Sequence, residues 1–215
     1  MKLESFGILI ELRPFGERDC LSRIFTKDYG ILSGMMKGAN VTKRNKPLMG
    51  QFGAVSWNAR LDSQLGVFHW ESEKNLSASL MSDVKALGFM NSSFSLLSTL
   101  LPERENYESL WYQTKEMLEN LSKPDASYLY LNWEIDLLQE LGYALDLSKC
   151  SNCGRTDNLT HISPRTARAV CKECAKPYLD KLYSLPINFE TTKNFLEKII
   201  VEQGIKELPL ARKLI

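Results

Sequence analysis

Histidine is scarce in this chain: His69 and His161 are all that 215 residues hold. Acid–base catalysis by imidazole therefore has few places to sit. Also missing are a Gly-rich loop ending in Lys-Ser or Lys-Thr, a His-Glu-x-x-His helix, and a Gly-x-Ser-x-Gly turn between strand and helix. Phosphate-cradling, zincin and hydrolase-elbow chemistry are unsupported for that reason. Carboxylates are plentiful between residues 103 and 140, but at amphipathic helical spacing they read as a solvated face, so no enzyme is expected. No apolar run reaches membrane-spanning length before Ser, Asn or a charge interrupts it. Nothing near Met1 resembles a secretory signal, and a cytoplasmic protein with no membrane partner is the expectation.

Cysteine is rare outside one window. Four of the five cysteines fall in two Cys-x-x-Cys pairs, Cys150/Cys153 and Cys171/Cys174, separated by 17 residues; the fifth is Cys20. Each pair presents two sulfurs from a tight turn, and two such turns make a tetrahedron, the geometry and spacing of a structural Zn²⁺ site. A disulfide would need an oxidising compartment, iron–sulfur spacings differ, and a redox Cys-x-x-Cys accounts for one pair only. His161 lies between the pairs and could replace one sulfur, but four cysteines suffice without it. Four thiolates close the coordination shell and leave no position for an activated water, so the site reads as a staple.

Net charge is only +1, yet its distribution is uneven. Residues 1–80 carry 11 Lys/Arg against 8 Asp/Glu, residues 81–149 carry 5 against 11, and residues 150–215 carry 11 against 7. The ends are basic and the middle acidic. Between Asp28 and Asp62 there is no acidic residue at all, while Lys37, Lys43, Arg44, Lys46 and Arg60 all fall inside.

The first part of the chain reads as β. Ile8 to Arg13 alternates, Cys20–Thr26 and Ile31–Lys37 follow across a Lys27–Gly30 turn, and Ala54–Leu61 and Leu65–Glu71 flank Asp62-Ser63-Gln64. Five short strands with one long connection suit an OB-fold barrel over residues 1–76; an SH3-like barrel would show much the same pattern. From Ser77 the period becomes helical. Leu80, Met81, Val84 and Leu87 start a stripe that Gly88 could break, Glu103 and Glu105 open a second helix, and Pro124-Asp125 opens a third with Tyr128, Leu131, Ile135 and Leu138 along one face. A last helix is expected after Asn188. The fold class is thus α+β: a barrel at 1–76, then a helical domain at 77–215 with a zinc-finger insertion at about 148–178.

The basic connection between barrel strands, with Lys37, Lys43, Arg44 and Lys46, suits phosphate contacts, with Arg60 nearby. Trp57, Phe68 and Trp70 lie on neighbouring strands, where aromatics can stack on bases of a single strand; a solubilising loop beside core-facing aromatics is the alternative. His69, mid-strand beside Trp70, reads as structural. Arg165 and Arg168, near the cysteines, are further phosphate candidates. Nucleic-acid binding competes with a protein–protein adaptor reading, which the near-neutral net charge favours.

Phe15-Gly16-Glu17-Arg18-Asp19, Phe25-Thr26-Lys27-Asp28-Tyr29-Gly30 and Lys37-Gly38-Ala39 resemble the N-terminal domain of the RecO family of DNA repair and recombination proteins. Leu48 to Phe52 is similar to the segment after that family's basic loop, and Trp133–Leu141, Gly142-Tyr143, Asp146 and Cys150/Cys153 are similar to its helix leading into a zinc finger. The resemblance covers most of residues 1–178. It implies an OB-fold, a helical domain with a zinc finger, and a non-enzymatic recombination mediator. Such a mediator binds single- and double-stranded DNA, anneals complementary strands and, with RecR, helps RecA load onto DNA coated by single-strand-binding protein. Some members dock the acidic C-terminal tail of that coating protein.

Overall fold

The computed structural model describes residues 1–41, 46–60 and 65–215. Five strands come first: β1 (Lys2–Phe15), β2 (Asp19–Thr26), β3 (Gly30–Met36), β4 (Gln51–Asn58) and β5 (Gly66–Asn75). β1 pairs antiparallel with both β2 and β4, and a parallel pairing of β3 with β5 closes the sheet in the order β1-β2-β3-β5-β4. β1 can serve two neighbours because it is long and carries a register shift between Leu9 and Glu11, where the strand bends.

The interior is filled by Leu9, Ile24, Leu32, Met36, Val55, Trp57 and Phe68. Inward and outward residues alternate along each strand, so these positions recur at steps of two. Gly66 and Gly34 sit where bulk would not fit. A Cβ on Gly66 would lie 2.1 Å from the Trp57 indole, and one on Gly34 2.7 Å from the Phe68 ring. The two largest core rings thus lie against bare backbone.

Three long helices follow: α1 (Val84–Leu100), α2 (Glu108–Asn120) and α3 (Ala126–Glu140). α1 begins later than the leucine pattern predicts because Asp83 caps it, its carboxylate accepting from the N–H groups of Lys85 and Ala86. Met81 and Val84 are exposed as a result, and Ala86, Phe89, Met90, Phe94 and Leu97 are among the buried residues. Gly88 does not interrupt the helix. Tyr128 is likewise exposed, while Tyr130, Trp133, Leu137 and Leu138 are buried on α3. Gly142, at φ +88°, takes the left-handed conformation that stops α3.

By internal contacts the chain forms two compact units, Met1–Tyr130 with Pro209–Ile215, and Leu131–Leu208. In the first, Trp111 of α2 donates its indole N–H to the Phe25 carbonyl at 3.0 Å, tying that helix to the sheet. In the second, the cysteine window builds short elements that the sequence pattern did not reveal: β6 (Leu159–Ile162), β7 (Ala169–Cys171), α4 (Lys172–Ala175) and β8 (Tyr183–Ser184), with sheet order β7-β6-β8. α5 (Phe189–Glu202) follows, its Asn188 side chain accepting from the Thr191 N–H as a cap. Thr192 of α5 donates to the buried Glu134 carboxylate of α3 at 2.6 Å. A short α6 (Leu210–Lys213) ends the chain within the first unit. No helix among the described residues is long and apolar enough to cross a membrane.

Candidate nucleic-acid interface and metal centre

β3 and β5 pair over only three positions, Gly34 with Gly66, Met35 with Val67 and Met36 with Phe68. Beyond Met36 and Phe68 the two strands part, and the barrel opens into a cavity of about 760 Å³. Met36 to Ala39 line one side, Phe68, His69, Trp70 and Ser72 the other, and Lys46 to Leu48 with Gln51 complete the rim. The opening follows from the register, since a parallel pair this short has no further ladder to hold it shut.

Lys37 and Lys46 are brought together at this groove, and both are exposed. Asp19 holds the turn that presents Lys37: its carboxylate accepts from the Gly38 N–H at 2.8 Å, and the Asn40 N–H donates to the Arg18 carbonyl at 2.9 Å. Lys46 Nζ donates to the Asn40 side-chain oxygen at 3.4 Å. Trp70 packs partly against the barrel core, and its buried indole N–H has no hydrogen-bond partner among the described residues. A groove with two ammonium groups on its rim and an aromatic edge in its wall suits a polyanion carrying flat rings.

The other sequence candidates are distributed differently. Lys43 and Arg44 lie outside the described residues. Arg60 is exposed just past the end of β4 and does not line the groove. Trp57 is a correction: it is 1% exposed, donates its indole N–H to the Ser33 carbonyl at 2.9 Å, and has the Arg104 guanidinium 4.7 Å from its ring centroid. A ring enclosed in this way fills the barrel and has no face to offer a base. His69 is a second correction. It points outward, is exposed, and lies 3.1 Å from a Glu71 carboxylate oxygen. Strand parity alone could have shown this, because His69 alternates with the inward Phe68.

Cys150, Cys153, Cys171 and Cys174 converge, with their four sulfurs all within 4.8 Å of one another. The Cys153 and Cys171 sulfurs are 3.7 Å apart, far beyond a disulfide bond. Four sulfurs each about 2.3 Å from one tetrahedral ion would stand about 3.8 Å apart, so the donor set fits a metal ion in both type and spacing. β7 ends on Cys171 and α4 carries Cys174, while the turn holding Cys150 and Cys153 closes with Gly154 N–H donating to the Cys150 carbonyl at 2.9 Å.

Burial pushes the Cys150 thiol up, but backbone hydrogen bonds at Cys171, Cys153 and Asn152 outweigh it and bring the group down to about 6. At Cys174 the Asn152 amide pulls down, and hydrogen bonding with Cys153 and Cys171 overrides it, to about 11. The cluster therefore already favours thiolate at Cys150, the form that binds metal. His161 is not among the four; its Nδ1 is 2.9 Å from the Thr160 hydroxyl on β6. Arg165 and Arg168 are exposed in the same unit, and Arg168 lies close enough to Asp146 to help lower its carboxyl, although hydrogen bonds from Ser148 are the larger cause.

Residues 1–72 match the family model described as Recombination protein O N terminal, and residues 81–207 the one described as Recombination protein O C terminal. The chain is 37% identical over 184 residues to the DNA repair protein RecO of Ruegeria sp., covering 84% of this chain and 76% of that protein. It is 40% identical over 184 residues to the DNA repair protein RecO of Hyphomonas neptunium, with the same coverage. Against that of Jannaschia sp. it is 38% identical over 182 residues, covering 83% of this chain and 74% of the relative. Both halves of the chain are matched in order, and the chain belongs to the RecO family of DNA repair proteins.

Proposed function

We propose that this chain is a recombination mediator that acts without making or breaking covalent bonds. It binds single- and double-stranded DNA at the barrel groove, anneals complementary strands and, with RecR, helps RecA load onto DNA coated by single-strand-binding protein, whose C-terminal tail is a further partner. The carrying observation is the groove where β3 and β5 part, with Lys37 and Lys46 on its rim and Trp70 in its wall. On this reading residues 1–76 are an OB-fold DNA-binding domain. Residues 77–215 are a helical domain carrying a zinc finger at about 148–178, and the protein works in the cytoplasm.

Annealing brings two polyanions together, so the protein's task is electrostatic. Ammonium groups on the rim replace condensed counterions along one backbone and lower the repulsion met by the second. The Trp70 edge gives a splayed base a surface against which to rest while pairing nucleates. Zn²⁺ held by Cys150, Cys153, Cys171 and Cys174 would supply a closed tetrahedral crosslink and no reactive position. Arg165 and Arg168 are candidates for additional phosphate contacts from that segment.

Fluorescence anisotropy of a labelled oligonucleotide against a salt series tests the reading. Replacing both Lys37 and Lys46 by Ala removes two phosphate contacts, and the slope of log affinity against log salt should shrink by about 1.5. Equal slopes for the two proteins would remove the groove from DNA binding. Absence of binding by the wild-type chain at every salt concentration would overturn the DNA reading itself.

A further inference from the structure

The barrel carries a second surface of opposite character. On its outer side the register sets Phe6 of β1 opposite Ala54 of β4, and Ala54 opposite Glu71 of β5. The adjacent row is Glu4, Ser56 and His69. These residues share one face because side chains alternate along each strand. Ala54 and Ser56 are small, so the middle strand forms the floor of a trough of about 490 Å³ between taller walls. That volume is within the usual range of binding sites, about 300–1,000 Å³.

The trough combines an apolar centre with acidic walls. Phe6 is 44% exposed even though its ring stacks on Phe52 at 5.7 Å, and Ala54 extends the apolar area. Glu4, Asp28 and Glu71 stand around it, and among the described residues no Lys or Arg lines it. Lys2 pairs with Glu4. Asp28 accepts from the Ser5 hydroxyl at 2.6 Å, and Glu71 meets His69; among the described residues neither carboxylate has a Lys or Arg within ion-pair distance. A phosphate backbone would be repelled here, whereas the groove at Lys37 and Lys46 would attract it.

We propose that this trough docks an extended, basic segment of a protein partner, an apolar side chain lying over Phe6 and Ala54 and flanking Lys or Arg residues meeting Glu4, Asp28 and Glu71. The match rests on charge complementarity around an exposed aromatic anchor, the arrangement that gives small interfaces their specificity. The trough lies on the broad side of the sheet, so the proposed recognition proceeds through side chains across β1, β4 and β5. The barrel would thus hold DNA in the groove and a protein segment in the neighbouring trough, with His69 lining both.

The probe is a fluorescein-labelled octapeptide of alternating Arg and Leu, with a Glu/Leu octapeptide as control, titrated with the full chain at low salt. The Arg/Leu peptide should bind and the control should not. Glu4→Gln with Glu71→Gln should weaken peptide binding by about three- to tenfold, the range expected for two exposed charge contacts. Phe6→Ala should weaken it by about tenfold, as loss of an aromatic anchor does. Binding of a labelled oligonucleotide by the two-glutamine variant should not weaken, since only negative charge is removed. Because Glu4 and Glu71 are surface positions, that variant keeps the test independent of any folding defect in Phe6→Ala. Equal binding of both peptides, or undiminished binding by the two-glutamine variant, would each overturn the proposal.

Discussion

The barrel gathers Leu9, Ile24, Leu32, Val55, Trp57 and Phe68 around one centre, whereas the cysteine window buries a cluster of Cys150, Val170, Cys171 and Ala175. Each large apolar side chain taken out of water contributes about 1.5–3 kcal/mol. The first set therefore brings several such contributions to one centre. The second buries one branched aliphatic side chain and two thiols, with Leu159 and Leu182 packed partly against them, and its strands are two to four residues long. A segment so poor in apolar surface needs a crosslink to hold its turns, and its four convergent sulfurs are the means available. The two regions therefore contrast a sheet closed by volume with one whose closure, on the proposed reading, rests on ligation.

The largest effect is expected where ligation fails. Cys153→Ala leaves three sulfurs, and since structural zinc sites of this kind contribute about 10–16 kcal/mol in isolated fingers, the window should lose its order. Hydrogen exchange should show residues 148–178 unprotected after this change or after chelation, with barrel amides as slow as before. Protection that survives metal removal would mean the window closes by packing after all. Next comes Trp57→Ala, which empties the space beside Gly66 and should cost about 3–5 kcal/mol in denaturant unfolding, with the metal content unaltered. A cost below about 1 kcal/mol would show that this ring does not carry the barrel's closure.

Much of this contrast was legible in the residues. Alternation at Ile8–Arg13 and four runs bounded by turn residues located the five strands, although β1 extends over Lys2–Phe15 and β4 over Gln51–Asn58, and the Cys-x-x-Cys spacing pointed to the four sulfurs that converge. Pairing partners were less accessible. That β3 meets β5 over just three positions, and so leaves a groove, depends on long-range register, which alternation does not encode. Trp57 illustrates the same limit. Its residue type suits stacking on a base equally well, and only Gly66 and Gly34 hinted that rings lie inward against bare backbone. The cross-strand trough at Phe6, Ala54 and Glu71 draws on residues far apart in the chain, none remarkable by itself. The β6–β8 strands are too short to show a period, and the start of α1 was misplaced because the Asp83 cap outweighs the leucine pattern.

The smallest effect concerns the edge of the barrel, where charge supplements volume. Lys74 at the end of β5 reaches Glu119 of α2 at 2.8 Å, and Lys115 lies 3.8 Å from the same oxygen. The hydrogen bond from Lys74 is the chief reason the Glu119 carboxyl sits below its ordinary value of 4.5, with burial opposing and Lys115 adding to the effect. A carboxyl lowered by folding contributes stability that is fully present above its unfolded value and is lost as pH falls through the folded one. Lys74→Ala should therefore lower stability by about 0.2–1 kcal/mol at pH 7, as exposed pairs do. The gap between variant and wild type should close below Glu119's lowered value and also narrow in high salt. Thermal midpoints at pH 7 and in acid, each at low and high salt, check both trends. A pH-independent loss as large as that of Trp57→Ala would mean that this contact, and not the packed centre, closes the barrel, and the contrast with the cysteine window would have to be redrawn.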